Sequence, residues 1–187
     1  MEVVNKLSNK NETEGPINFI DIVVPSKVLW PNDIRVNANI NLLNFLKAGN
    51  DPRLFEIFEM GTDGFRSSKY AFRGVVKDNT GRKHDNSWIA EDNLYQLGHE
   101  KSGKSVLYIS RRPSVSLTFA TPYKDNDEGY LMVYDNLDGF FDDSKSDIND
   151  VSIIDIDKNI ALRNRLRFVL VIKPENKKRH IFKIFCE

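Results

Sequence analysis

The chain has 187 residues, of which 40% are hydrophobic, and its 27 basic side chains balance 27 acidic ones to a formal net charge of zero. This length and composition suit one domain with a sizeable core. The charge balance disfavours general electrostatic binding to nucleic acid, which normally needs a basic surplus. The single cysteine, Cys186, forms no internal disulfide, so nothing requires an oxidising compartment.

The sequence predicts neither a metal centre nor a membrane segment. The histidines His84, His99 and His180 lie far apart and no CxxC pair exists, so a zinc site is not expected. The N-terminus lacks the apolar core of a signal peptide, and no apolar run approaches the length of a membrane span. We therefore expect a soluble protein made in a cytosol, with secretion that needs no cleaved signal left open.

The first third of the chain predicts a leader, a strand and two helices. Residues 1–16 are polar and are expected to form a flexible leader. Residues 17–24 are typical of a strand, and residues 39–48 carry apolar side chains at helical spacing. Asp51 then suits an N-cap and Pro52 the first position of a second short helix.

The rest of the chain predicts mainly strands with short connections, and hence an α+β fold with largely antiparallel pairing. No glycine-rich phosphate motif of the dinucleotide or Walker type is present. The predicted strands are 70–76, 106–109, 129–135, 150–156, 166–173 and 181–185, with helices at 87–97 and from 113 and loops at 98–104 and 137–146.

Two polar features interrupt the apolar strands. The strand at 106–109 runs into Ser110, Arg111 and Arg112, and Pro113 then begins a helix. Such a corner suits a phosphorylated ligand, although many corners of this kind bind nothing. Arg73 lies in the middle of an apolar strand, where it either faces solvent at a sheet edge or lines a cleft that takes an anion.

Three spaced motifs together carry a family resemblance over residues 70 to 172. The first is Phe72-Arg73-Gly74 on a strand, and the second is Tyr108-Ile109-Ser110 followed by the helical Ser116-Leu117-Thr118-Phe119-Ala120. The third is the strand 129–135, a loop, and Ile148-Asn149-Asp150-Val151 opening another strand. This order resembles the mono-ADP-ribosyltransferases of the arginine-serine-glutamate class, which include cholera-like bacterial toxins and phage enzymes that modify host proteins.

The resemblance implies an ADP-ribosyltransferase-like fold, with mainly antiparallel sheets around an NAD cleft, and a set of site residues. Arg73 would bind a phosphate of NAD, where a planar guanidinium suits better than an ammonium. Ser110 would orient the carboxylate or the ribose, and Asp150 would stabilise positive charge on the ribose. Phe140 or Phe141 would stack on the nicotinamide, and the implied cofactor contacts also include Gly74, Tyr108 and Phe119. Arg111 or Arg112 could add phosphate contacts, which is our inference and no family assignment.

The same resemblance implies one domain over 17–187, with a helical preface at 17–66 and a core at 67–187. The expected function is NAD-dependent transfer of ADP-ribose to a host or partner protein, with no metal, no membrane partner and a nucleic-acid target disfavoured. The protein would act as a toxin, a phage effector or an endogenous enzyme, in the cytoplasm or delivered to a host cytosol without a cleaved signal peptide.

The chain departs from the family pattern at three positions. Tyr108 replaces the first serine of the motif, Ile148 stands where relatives carry Glu or Gln, and Asp150 replaces the catalytic glutamate. These departures favour a catalytically inactive interaction protein of the same fold. An NAD glycohydrolase, which cleaves NAD and needs no target, is a further alternative. With a shifted register, Asp147, Asp155 or Asp157 would supply the catalytic carboxylate in place of Asp150. An unassigned α+β binding domain is a further alternative.

Overall fold

The computed structural model of the chain describes residues 16–33, 37–77, 99–101, 104–135, 151–155 and 165–175, with the backbone alone at 77, 99–101, 104–108 and 151–155. The architecture is α+β, with seven strands in one mixed sheet. The strands are β1 (Asn18–Val24), β2 (Tyr70–Lys77), β3 (His99–Lys101), β4 (Lys104–Ser110), β5 (Glu128–Asp135), β6 (Val151–Asp155) and β7 (Leu166–Pro174). The helices are α1 (Ser26–Leu29), α2 (Ala38–Lys47), α3 (Pro52–Ile57) and α4 (Pro113–Ala120).

The sheet runs in the order β1-β7-β5-β2-β4-β3, and β6 pairs with β4. Among the described strands, β1 and β7 form the parallel pair, and the other pairings are antiparallel. The strand β1 lies in the predicted helical preface, yet it pairs along its whole length with β7 of the predicted core. The strand β1 (Asn18–Val24) and the six described strands between Tyr70 and Pro174 therefore belong to one sheet.

The described helices cover one face of this sheet. Strand residues two apart share a face, and the face that carries Phe72 also carries Leu131, Val133, Leu170 and Ile172. These residues form one hydrophobic cluster with buried side chains of the helices, including Leu42, Leu46, Leu54 and Leu117. At about 25 cal/mol per Å² of apolar surface, this burial is the main source of stability.

The helix α4 approaches the sheet so closely that two strand positions admit only glycine. A Cβ atom added to Gly74 on β2 would lie 1.8 Å from the carbonyl oxygen of Ser116, and one added to Gly129 on β5 would lie 1.7 Å from that of Ala120. The hydroxyl of Ser116 donates to the carbonyl oxygen of Phe72 over 2.9 Å. The backbone of α4 thus lies directly against β2 and β5.

Most predicted elements inside the described residues are confirmed, within one or two residues at their ends, and two differ. The predicted loop at 98–104 is wrong, because His99–Lys101 forms β3 and pairs with the start of β4. The four-residue helix α1 was not predicted, since it is too short for a periodic signal. The leader (residues 1–15), the helix at 87–97, the loop at 137–146 and the last strand at 181–185 lie outside the described residues.

The first turn of α3 provides a stability test. The carboxylate of Asp51 accepts from the backbone N–H of Arg53 over 2.9 Å, as an N-cap does. We expect Asp51→Ala to lower the free energy of unfolding by about 1 kcal/mol, because that N–H loses its partner. Asp51→Asn keeps an accepting oxygen and should stay close to wild type in the same urea titration. Equal stability of Asp51→Ala and wild type would contradict this role of the cap.

Candidate functional site

The three motifs of the sequence lie on neighbouring strands. Phe72 on β2 pairs with Ser110 at the end of β4. On the other side of β4, Ser110 pairs with Val151 at the start of β6. Arg73 directly follows Phe72 in the sequence, and Asp150 directly precedes Val151. Residues from segments far apart in the chain therefore meet in one row across the sheet, which we call the motif row (Phe72, Ser110 and Val151).

Arg73 is buried beside a tyrosine. Arg73 is 6% exposed, and the fully buried Tyr134 of β5 lies on the same face of the sheet, with its hydroxyl donating to the sulfur of Met132 over 3.6 Å. Burial lowers the pKa of Arg73, and the neighbouring Tyr134 hydroxyl opposes that change. The interpretation of Arg73 as a solvent-facing edge residue is wrong, because β2 lies between β5 and β4 in the sheet.

Ser110 shapes the corner between β4 and α4. It is 1% exposed, and its hydroxyl oxygen accepts from the backbone N–H of Arg112 over 3.0 Å. Pro113 follows as the first helical residue, where its missing N–H costs nothing. The predicted strand, corner and helix are thus confirmed, and the serine hydroxyl stabilises the turn between them.

The register places Arg73 and Ser110 on opposite faces of the sheet. Ser110 lies across from Phe72, whose side chain belongs to the hydrophobic cluster beneath the helices. Arg73, one residue further along β2, points to the other face with Tyr134 and Met132. A ligand that touches both side chains would have to reach around the end of β4, where Ser110 is the last residue of the strand.

The other predicted cofactor contacts are scattered or lie outside the described residues. Gly74 packs against the backbone of α4, and Phe119 of α4 is 60% exposed. Tyr108 is described by its backbone, which pairs with Ile153 of β6. Asp150, Phe140 and Phe141 lie outside the described residues. The structure therefore brings the motif segments together without showing a complete site.

The corner also carries positive charge and an aromatic ring. The guanidinium of Arg112 lies 5.7 Å from the ring centre of Phe65, which is 66% exposed. Asp63 accepts from the backbone N–H groups of Arg66 and Phe65, and these bonds lower the pKa of its carboxyl. Arginine is the residue type that both stacks on aromatic faces and recognises phosphate groups.

Sequence reasoning missed Tyr134 as a neighbour of Arg73. The alternation of Tyr130, Met132 and Tyr134 on one side of β5 was a usable signal, because antiparallel pairing with β2 aligns this side with Arg73. The exposed Phe65 gave no signal, since it lies in a turn without periodic pattern.

Neither a metal site nor a membrane helix is found in the part of the chain that the structure describes. No group of three or more His, Cys, Asp and Glu side chains there could hold a metal ion. No helix among those residues is long and apolar enough to cross a bilayer.

Alkaline pH should destabilise the protein through three tyrosines. Burial raises the pKa of Tyr70, Tyr130 and Tyr134 above the ordinary value of 10.0. Their contribution to the free energy of unfolding is therefore fully present below pH 10.0 and is lost as the pH rises through the folded-state pKa values. We expect urea midpoints to fall as the pH rises above 10.0, and less steeply in Tyr70→Phe. Equal slopes in the two proteins would contradict the raised pKa of Tyr70.

Comparison of the chain with protein-family models, with curated proteins and with solved structures gave no significant match.

Proposed function

We propose that this protein is an NAD-dependent mono-ADP-ribosyltransferase that modifies a protein, on an ADP-ribosyltransferase-like fold. The motif row carries the proposal, because it joins three segments whose sequence resembles the arginine, serine and carboxylate motifs of that class. In an α+β domain, three segments that are far apart in the sequence need not lie on neighbouring strands. A shared site requires that they do, and here they do.

The chemistry assigned to these residues is the cleavage of a glycosidic bond. Nicotinamide leaves C1′ of the ribose, and positive charge develops on the ring. Arg73 binds a phosphate of NAD and anchors the dinucleotide. The carboxylate of Asp150 accepts from a ribose hydroxyl and stabilises the developing charge. A nucleophilic atom of the acceptor then bonds to C1′ and releases its proton to solvent or to a carboxylate.

Ser110 takes a supporting part in this proposal. Its hydroxyl oxygen accepts from the N–H of Arg112 and so fixes the corner at which β4 ends. That corner lies beside the start of β6, where Asp150 precedes Val151. The serine acts by holding the two chain segments in register, and direct contact with NAD is not needed for this role.

The acceptor in this proposal is a protein. With 27 basic and 27 acidic side chains, the chain has no general surplus for binding a polyanion. The modified protein belongs either to a host cell or to the cell that makes this protein. The cytosol of both cells provides NAD.

A non-catalytic interaction protein of the same fold is the second candidate. One observation favours it, since Arg73 is 6% exposed and lies on the same sheet face as the fully buried Tyr134, whose hydroxyl raises the pKa of Arg73. A guanidinium in that position is part of the packed interior of the domain whether or not a ligand is bound. An NAD glycohydrolase is the remaining catalytic alternative, and it needs water as the acceptor in place of a protein.

Incubation with NAD separates these candidates. The purified protein is incubated with NAD labelled in its adenylate part, with and without a cell lysate, and free nicotinamide and protein-bound label are measured. We expect release with label on a lysate protein. Release without bound label would identify a glycohydrolase. No release together with no NAD binding would exclude both enzymes.

Arg73→Ala is the matching site variant. We expect it to lower nicotinamide release about tenfold, which corresponds to losing one charge-assisted hydrogen bond. Arg53→Ala is the control, because Arg53 lies on α3 and forms a surface pair with Asp51. Unchanged release in folded Arg73→Ala would remove Arg73 from the site.

A further inference from the structure

The strand β1 is the last strand at one end of the described sheet. Among the described strands it pairs with β7 alone, over all seven of its residues and in an unbroken register. It contains no proline. Edge strands of natural proteins are commonly short, bulged or interrupted by proline, because an open edge is a template for pairing with another chain. The strand β1 has none of these three protections.

The pairing with β7 determines which main-chain groups of β1 point outward. The carbonyl oxygen of Val24 accepts from the N–H of Glu175 over 2.9 Å, so the main-chain groups of Val24 point toward β7. Successive residues of a strand direct their N–H and C=O groups to opposite sides. Those of Phe19, Asp21 and Val23 therefore point away from β7, and no hydrogen bond from another described residue reaches them.

The same three residues have accessible side chains on the face of the sheet opposite the described helices. Phe19 is 51% exposed and Val23 is 61% exposed, and the side chain of Asp21 between them is 67% exposed. The Oδ1 atom of Asp21 accepts from Nζ of Lys173 over 2.5 Å, and Oδ2 has no hydrogen-bond partner among the described residues. A carboxylate has about four acceptor positions, so Asp21 has room for a further donor.

A second copy of the chain fits this edge poorly. Antiparallel pairing of two β1 strands about a two-fold axis at Asp21 puts Phe19 across from Val23 of the second copy, which is favourable. It also puts the two Asp21 carboxylates directly across from each other, and like charges in that position are destabilising. The two neighbouring registers put Asp21 across from Phe19 or from Val23, which offer no cation. The occupant that fits carries a cation where a second copy carries a carboxylate.

We infer that the outer edge of β1 binds an extended segment of another protein, which carries a lysine or arginine with an apolar residue two positions away on each side. The main-chain groups of Phe19, Asp21 and Val23 pair with this segment as with a further strand of the sheet. Its cation contacts Oδ2 of Asp21, and its apolar side chains pack on Phe19 and Val23. The strands β7 and β5 separate β1 from the motif row, so the inference does not rest on the proposed function.

Two synthetic peptides test the charge complementarity. The lysine peptide is acetyl-Thr-Val-Thr-Lys-Thr-Val-Thr-amide, whose pattern is the same in both strand directions, and the glutamate peptide has Glu in place of Lys. We expect the wild-type protein to bind the lysine peptide about tenfold more tightly in an NMR titration, because the pair at Asp21 changes from opposite to like charges. Equal affinities for the two peptides would overturn the inference, as would no binding of the lysine peptide.

Asp21→Lys should reverse this preference, so that the glutamate peptide binds more tightly than the lysine peptide. Glu59→Lys is the control, because it makes the same change of charge at an exposed residue outside the sheet. It should keep the wild-type preference. A preference that Asp21→Lys does not reverse would overturn the inference. The same reversal in both variants would also overturn it, since it would show an effect of net charge alone.

Amide hydrogen exchange in the wild-type protein locates the bound peptide without a variant. Saturating lysine peptide should slow exchange at Phe19, Asp21 and Val23, whereas the amides of Ile20 and Ile22 point to β7 and are protected in the free protein. Binding that leaves the three outward amides unchanged would overturn the inference. So would protection of these amides that rises with protein concentration in the absence of peptide, which would identify a second copy as the occupant.

Discussion

Gly74→Ala is expected to lower the free energy of unfolding by about 4 kcal/mol or more, enough to leave most of the protein unfolded or aggregated. The added methyl carbon would lie 1.8 Å from the carbonyl oxygen of Ser116 and 2.9 Å from the backbone nitrogen of Ala120. Both obstacles are backbone atoms of α4, so no side-chain rotation relieves the overlap. Urea unfolding followed by circular dichroism measures the loss.

Gly61→Ala is the matched control for this change. A Cβ atom at Gly61 would meet the carbonyl oxygen of Arg66 at 3.6 Å, which is ordinary contact. Its stability should stay within about 0.5 kcal/mol of wild type. Gly129→Ala should behave like Gly74→Ala, because its Cβ would lie 1.7 Å from the carbonyl oxygen of Ala120. A stable Gly74→Ala would show that α4 does not pack on β2 as described.

Asp150→Glu is expected to raise nicotinamide release about a hundredfold, provided that the proposed function holds. The glutamate restores the methylene that the resembled family has at this position. A carboxylate misplaced by about 1 Å can cost a hundredfold in rate. Initial rates at saturating NAD, compared with wild type, measure the effect on the chemical step.

Asp155→Glu tests whether the rate increase depends on position. It makes the same lengthening at the far end of β6, where Asp155 pairs with Val106, whereas Val151 pairs with Ser110 in the motif row. Its rate should equal that of wild type. A rate that rises in Asp155→Glu and not in Asp150→Glu would mean that the carboxylate comes from a shifted register.

Local signals in the sequence were sufficient to predict several elements. Asp51 followed by Pro52 predicted the start of α3, and Pro113 predicted the start of α4, because capping and the missing proline N–H act within one helical turn. The alternating or continuous apolar runs predicted β5 and β7. The α+β class followed from the order of these elements.

Features that depend on pairing could not be predicted. Nothing in residues 18–24 indicates that this strand lies parallel to β7, since partner and direction are set by the whole sheet. The polar His99–Lys101 lacks a strand pattern and is a strand because it pairs with β4. For the same reason, placing Tyr134 on the same face as Arg73 required the β2–β5 register in addition to the alternation along β5.

The pairing of β1 with β7 sets the order in which the chain can fold during synthesis. One of these strands lies near the N-terminus and the other ends at Pro174, and β7 also separates β1 from β5 in the sheet. Ribosomes add about 5–20 residues per second, so β1 waits on the order of ten seconds for its partner. Through that interval its buried side chains Ile20, Ile22 and Val24 have no sheet to join. During synthesis β1 therefore stays accessible to a chaperone that binds short apolar segments for longer than any other described strand.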